Sequence, residues 1–386
     1  MNWRCFTSVF LKLCWSFSSA FGINISTLDS QCDHIDHESE TVDANVQLLQ
    51  LSNVLFRDAA SNVSALESDG VEDQKRWNFT EILKDEPKGS FLSHLDVLVQ
   101  LVGLTYNTTS PISPSVQAPS NVTTRDGIWK RLSNFDRDPY PGGVFARVFR
   151  KDQVLILVFK GICTDIFVEQ CQIDLCYLKE IRHYGPVSDK VLDLMGFDSQ
   201  VCNKYKGFLN FTEQALLFVK QIRHAFPRCQ LILTGHSLGG MLAMTVAQML
   251  PSSSRVKDVK ALAFAPAPWN HLQPNLKVKS HPHLVALCDP YDCGINAFFA
   301  PGARLPATTC LFLEQEEPKA CQGLVEPYKN HTWREQLEKH QPDGDFLIPL
   351  LVCKGSAHRW SHYETMVEVA AHSRKFPQCR HDFSVL

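Results

Sequence analysis

The chain has 386 residues and carries 38 Lys and Arg against 41 Asp and Glu, a formal net charge of −3. That near balance argues against a dedicated nucleic-acid binder, which shows a basic surplus. A composition of 44% hydrophobic and 20% charged residues is globular rather than disordered, and no long uncharged apolar run follows the first 25 residues to make a polytopic membrane protein.

The N-terminal segment MNWRCFTSVFLKLCWSFSSAFG has an early Arg4, a mostly apolar stretch interrupted by Lys12, and small residues at Ser18 and Ala20. It reads as a signal peptide over residues 1–20, cleaved after Ala20. Of the 14 Cys, its removal takes Cys5 and Cys14 and leaves an even number, which fits a disulfide framework in an oxidising compartment. Seven Asn-x-Ser/Thr sequons begin at Asn24, Asn62, Asn78, Asn107, Asn121, Asn210 and Asn330. Such sites are glycosylated only in the secretory pathway, so the expected location is secreted or in the secretory lumen, without a transmembrane segment.

Residues 21–90 read as an N-terminal extension: DHIDHESE (33–40) is a polar, acidic linker rather than a metal site, and VQLLQLSNVLF (46–56) is one candidate helix. Residues 107–127, with Pro111, Pro114, Pro119 and two sequons, read as an exposed loop. From residue 91 to the end the pattern becomes one of alternating helices and strands. Helical spacing is expected over 94–106 and 211–226, where Ala215, Phe218, Val219, Ile222 and Phe226 share a face. Strands are expected at 143–149 and 153–159, joined by a hairpin at Arg150-Lys151-Asp152, and at 230–234, 259–265 and 283–288. Helices are expected at 241–250, ended by Pro251, and at 362–373. Strands alternating with helices imply an α/β domain over 91–386, with a mostly parallel sheet covered on both faces.

Between strand 230–234 and helix 241–250 lies Gly235-His236-Ser237-Leu238-Gly239-Gly240. A Gly-x-Ser-x-Gly in a strand–turn–helix setting places the serine on a tight, strained turn, and glycines flank it because a Cβ there would clash. Ser237 is therefore the expected nucleophile, with the Leu238 backbone N–H at the helix N-terminus donating to an oxyanion.

The run LILTGHSLGGMLAMTVAQML resembles the elbow of the class 3 lipase family, whose fold is an α/β-hydrolase. In chain order, Phe159-Lys160-Gly161 resembles that family's Phe-Arg-Gly strand end, and Ile173-Asp174-Leu175 its acidic-apolar segment. Lys206-Gly207-Phe208, Ala263-Phe264-Ala265-Pro266 and Asp289-Pro290 resemble further family features. The resemblance covers about 91–386. It implies a carboxylic ester hydrolase that acts on a lipid or other ester, with no cofactor and no metal.

A serine nucleophile needs a base, and the base needs an orienting carboxylate. In this fold they follow in the order Ser, acid, His. Asp289, at the end of an apolar strand, is the first candidate for the acid and Asp292 the second. For the base, Ser361-His362-Tyr363-Glu364 reads as a capping box that sets His362 at a loop-to-helix junction. Ala357-His358-x-Trp360 also resembles a lipase histidine segment, and His340 is a third candidate. The expected triad is Ser237, Asp289 and His362, and His236 reads as structural.

The resemblance places the second oxyanion donor at Ile162, where the family usually carries a hydroxyl, while Lys160 replaces an Arg. It also places a lid over Cys163–Cys176, which Cys163, Cys171 and Cys176 could tether, although the segment reads equally as an ordinary surface helix, and Cys288 with Cys293 bracket the acid loop. Catalysis then runs through an acyl-enzyme that water resolves, with acylglycerol as the implied substrate. A phospholipid cleaved as by a phospholipase A1, or a soluble carboxylic ester, comes next. The competing class, kept open by Ile162, is a non-catalytic lipase-like binding protein.

Overall fold

The structure is a computed structural model that describes residues 77, 89–106, 119–137, 143–162, 169–182, 199–205, 210–250, 259–267, 284–292, 307–312, 319–322, 352–353, 355–373 and 377–380. The signal segment, the candidate helix 46–56, Lys206–Phe208, Ile166–Val168, Cys163, Cys293 and His340 lie outside them. The chain divides into two compact units, Met1–Asp73 and Gln74–Leu386, and every described residue belongs to the second. Trp77 belongs to the hydrolase-like core. Its backbone N–H donates to Gln230 Oε1 (2.9 Å), its carbonyl accepts from Gln230 Nε2 (2.8 Å), and its ring stacks on His94 at 4.0 Å.

Among the described residues nine strands form one sheet whose spatial order follows the chain. β1 (Asn121–Thr124), β2 (Gly127–Arg131), β3 (Ala146–Lys151) and β4 (Val154–Phe159) pair antiparallel. From β4 the sheet turns parallel through β5 (Gln230–His236), β6 (Val259–Phe264), β7 (Leu284–Cys288) and β8 (Thr308–Leu311). β9 (Gln378–Arg380) closes it antiparallel to β8. The turn between β3 and β4 is Asp152-Gln153, with Asp152 at φ 53° in the left-handed region that Asp tolerates.

The parallel strands are apolar throughout because both faces are covered. On one face Ile156, Val158, Ile232, Leu262, Phe264, Val285 and Leu287 are buried in a single core. That core includes α1 (Gly89–Tyr106), through Leu95, Leu98, Leu101 and Val102, and the C-terminal helix Trp360–Ser373, through Tyr363, Met366, Val367 and Ala370. Each such Leu or Val, fully buried, contributes about 1.5–3 kcal/mol. The alternate residues, among them Leu157, Leu233 and Ala263, point to the other face by the period of two. There the helix Leu238–Met249 packs, and a Cβ on its Gly240 would lie 3.1 Å from the Ala263 Cβ.

Between β4 and β5 run α2 (Glu169–Arg182), α3 (Ser199–Tyr205) and α4 (Phe211–Ala225), followed by α5 (Leu238–Met249) after β5 and α6 (Trp360–Ser373) near the end. Cys176 of α2 is bonded to Cys202 of α3, and the Tyr177 ring stacks on Phe211 of α4 at 4.6 Å. Residues 171–176 of the expected lid are buried, so this part is a packed helix rather than an exposed flap. Cys310–Cys379 crosses β8 and β9, and Cys321–Cys353 is a third disulfide among the described residues. Cys171 and Cys288 are disulfide-bonded as well, whereas Cys229 is a buried thiol. Residues 121–124, expected in a loop, form strand β1, a four-residue edge strand too short to announce itself by periodicity.

Candidate active site

The parallel register fixes where chemistry can occur. Phe159 pairs with Gly235, and His236 pairs with Phe264, so the C-terminal ends of β4, β5 and β6 sit side by side. Ser237 follows directly, with φ 57° and ψ −123°, a conformation that costs a non-glycine residue about 1–3 kcal/mol and is held only where the surroundings impose it. They do so here: Ser237 N–H donates to Phe264 O (3.0 Å), and Ser237 O accepts from Met241 N–H (3.0 Å) as α5 begins. A Cβ on Gly235 would lie 2.5 Å from the Gly239 carbonyl carbon. One on Gly239 would fall onto the Phe159 carbonyl oxygen, so both glycines are required by close approach of backbone to backbone.

The nucleophile's partners are His358 and Asp292. Ser237 Oγ lies 2.8 Å from His358 Nε2, and His358 Nδ1 lies 2.8 Å and 2.9 Å from the two Asp292 oxygens. Asp292 is fully buried, and the Tyr363 hydroxyl donates to its Oδ2 at 2.8 Å. With the carboxylate as acceptor, His358 carries its proton on Nδ1 and presents a bare Nε2 to the serine hydroxyl, the tautomer a general base needs. The His358 side chain is 28% exposed, so a ligand can reach it from solvent.

The expected acid and base are instead bound to each other: His362 Nε2 donates to Asp289 Oδ2 at 2.9 Å. Asp289 is nearly fully buried, and its Oδ1 accepts from the backbone N–H groups of Tyr291 (2.7 Å) and Asp292 (3.2 Å). Helical backbone begins at Pro290. Asp289 is therefore an N-cap followed by Pro at the first helical position, a pairing that helix starts favour. Its carboxylate is committed to the turn, and Asp292, three residues on, faces the histidine beside Ser237. The choice of histidine changes for a related reason. α6 begins at Trp360, not at 362, which puts His358 in the two-residue link between helical residues 355–357 and α6, and His362 inside the first turn.

The Tyr363 hydroxyl connects the two pairs by accepting from Asp289 N–H (3.0 Å) while donating to Asp292. Its ionisation is pushed well above the ordinary phenol range by burial and by the two carboxylates, so the hydroxyl stays a donor. His236 lies beneath the site, its ring 4.6 Å from that of His358 and its Nδ1 2.9 Å from the Tyr106 hydroxyl. Burial pushes the Tyr106 phenol upward, while the Gly161 N–H hydrogen bond pulls the other way. Tyr106 thus ties the end of α1 to both the elbow and the β4 strand end, a link that sequence reading missed.

Both expected oxyanion donors sit at this junction. Leu238 is the first residue of α5, where backbone N–H groups lack intrahelical partners. Ile162 follows Gly161, whose Cβ, were there one, would lie 3.2 Å from the Ser237 Cβ and 2.6 Å from His236 O. Among the described residues no cluster of three or more His, Cys, Asp or Glu could hold a metal ion, and no helix is long and apolar enough to cross a membrane.

The fold and the line from Ser237 through His358 to Asp292 have the form of a serine hydrolase built on an α/β-hydrolase sheet. Residues 163–276 match the family model described as Lipase (class 3). The matched segment holds Ser237 and the elbow but ends before either Asp or either His in question. Comparison with curated proteins found no match. The family supports a lipase-type ester hydrolase in general terms.

Proposed function

We propose that this protein is an exported, glycosylated, disulfide-braced acylglycerol lipase that works through Ser237, His358 and Asp292. The reading is carried above all by the 2.8 Å contact between Ser237 Oγ and His358 Nε2 together with the Asp292 carboxylate behind Nδ1. As the Ser237 oxygen attacks the ester carbonyl, His358 Nε2 takes the hydroxyl proton, and buried Asp292 stabilises the imidazolium. The tetrahedral oxyanion accepts hydrogen bonds from the Leu238 and Ile162 backbone N–H groups. Collapse expels the glycerol oxygen, which receives the proton from His358, and leaves an acyl-enzyme. Water, deprotonated by the same nitrogen, then releases the fatty acid and restores the serine.

Export is supported by the leader-like N-terminus, the sequons and the disulfides. The test is a hydrolysis screen of tri- and diacylglycerols, phospholipids and short soluble esters with secreted protein, using Ser237→Ala as control. Ser237-dependent release of fatty acid from acylglycerols is expected. Activity confined to phospholipids or soluble esters would move the substrate, and no Ser237-dependent turnover would overturn the enzyme reading in favour of a lipase-like binding protein.

A further inference from the structure

At one end of the sheet lies a feature the ester chemistry does not use. β1 is the first strand of the order and, among the described residues, pairs only with β2. Its burial alternates: Asn121 and Thr123 are exposed, Val122 and Thr124 buried. The sequon Asn121-Val122-Thr123 therefore presents its amide and its hydroxyl on one solvent-facing side of the strand. Across the ladder Asn121 faces Lys130 and Thr123 faces Ile128. Ile128 is 61% exposed, more than Leu217 at 56% or Val369 at 43%, the other exposed large apolar residues among the described ones. An open strand edge with an exposed β-branched apolar residue beside it is a template for edge-to-edge association.

The other sequon among the described residues is engaged by the fold. Asn210 Oδ1 accepts from Gln214 Nε2 at 2.7 Å, and Thr212 Oγ1 is hydrogen-bonded to the Tyr177 hydroxyl. The remaining five begin outside the described residues.

We propose that Asn121 is an N-glycosylation site and that its first sugar lies over Ile128, shielding the open edge of the sheet. This rests on the export reading, because the donor is a lipid-pyrophosphate-linked oligosaccharide of the secretory pathway. The Asn121 amide nitrogen attacks the anomeric carbon of that donor, so a C–N bond forms as the C–O bond to the lipid pyrophosphate breaks. The pyrophosphate leaves with the electron pair, and the amide gives up one proton. Asn121 and Ile128 are diagonal neighbours across the β1–β2 ladder, about 7–8 Å apart. A sugar ring attached at Asn121 spans that distance and sets its apolar C–H face on the isoleucine.

Protein collected from the medium of secreting cells is treated with a peptide N-glycosidase in heavy-oxygen water, which leaves a labelled Asp wherever a glycan stood, and is then mapped by mass spectrometry. Labelled Asp at position 121 is expected, and Asn121→Gln should lose one glycan in mass. Asn121→Gln should also raise the aggregated fraction several-fold in size-exclusion runs, and a second change, Ile128→Thr, should return it to the parent value. An unlabelled position 121 with label at other sequons would overturn the proposal while leaving export intact. No label at any of the seven would overturn it through the export reading itself. Occupancy at Asn121 with aggregation that Ile128→Thr does not reverse would refute the shielding.

Discussion

Replacing Asp292 by Asn tests the assignment of the acid. The carboxylate is fully buried and receives the His358 ring N–H and the Tyr363 hydroxyl. An amide of the same shape keeps one acceptor oxygen but turns an NH2 group toward one of these donors. The cheapest relief is to move the His358 proton from Nδ1 to Nε2, which removes the lone pair that must take the Ser237 proton. Loss of the correct tautomer in a serine triad costs about 10⁴ in kcat, or about 5.5 kcal/mol of transition-state stabilisation. Asp289→Asn behaves differently. Asn caps helix N-termini about as well as Asp, so Oδ1 still accepts from the Tyr291 and Asp292 N–H groups, and only the His362 contact changes. Its kcat should fall less than about tenfold. Steady-state hydrolysis of a chromogenic ester, with circular dichroism to verify folding, reads both variants. A folded Asp292→Asn of near-parent activity beside an inactive, folded Asp289→Asn would refute the assignment.

Three further outcomes follow from the packing around the site. Tyr363→Phe removes a hydroxyl that serves Asp289 N–H and Asp292 together and should destabilise by about 1–3 kcal/mol. Because the Tyr363 phenol is raised in the folded state, its contribution is complete below the unfolded phenol value, near 10, and is lost as pH rises above it. Denaturant titrations should therefore show a shallower alkaline fall in Tyr363→Phe than in the parent, and an unchanged slope would contradict the burial argument. Gly239→Ala places a methyl group against the Phe159 carbonyl and the backbone of Lys160, so soluble yield and ester turnover should both drop sharply, with recovery of a fully active, soluble variant as the contrary result. Cys310→Ala opens a disulfide spanning 69 positions and should cost about 4 kcal/mol on chain-entropy grounds, read as a lowered denaturant midpoint under non-reducing conditions.

The sheet's parallel centre was legible because its strands are unbroken apolar runs with turn residues between them, and the elbow because Gly-x-Ser-x-Gly fell at a strand end. β1, β2, β8 and β9 escaped notice because three to five residues give periodicity almost nothing to repeat. For the acid and the base, the structure brings the second candidates, Asp292 and His358, to Ser237 and pairs the first candidates, Asp289 and His362, with each other. Position along a helix start is the least determinate quantity in a sequence, and a shift from 362 to 360 in the start of α6 exchanges the roles of His358 and His362. For the acid a signal was present: Asp followed by Pro is itself a helix-start pattern, and it marks Asp289 as already engaged by its own turn. The Tyr363 bridge and the Tyr106 link had no sequence signature, since both depend on helices far along the chain meeting the strand ends.

The central claim is that His358, and not His362, activates Ser237. It is tested most directly by the rate at which an active-site fluorophosphonate modifies Ser237 in the parent protein, His358→Ala and His362→Ala. Labelling of the parent and of His362→Ala at comparable rates, with His358→Ala slower by a factor of roughly a thousand or more, is the predicted result. Slow labelling of His362→Ala with near-parent labelling of His358→Ala would contradict it.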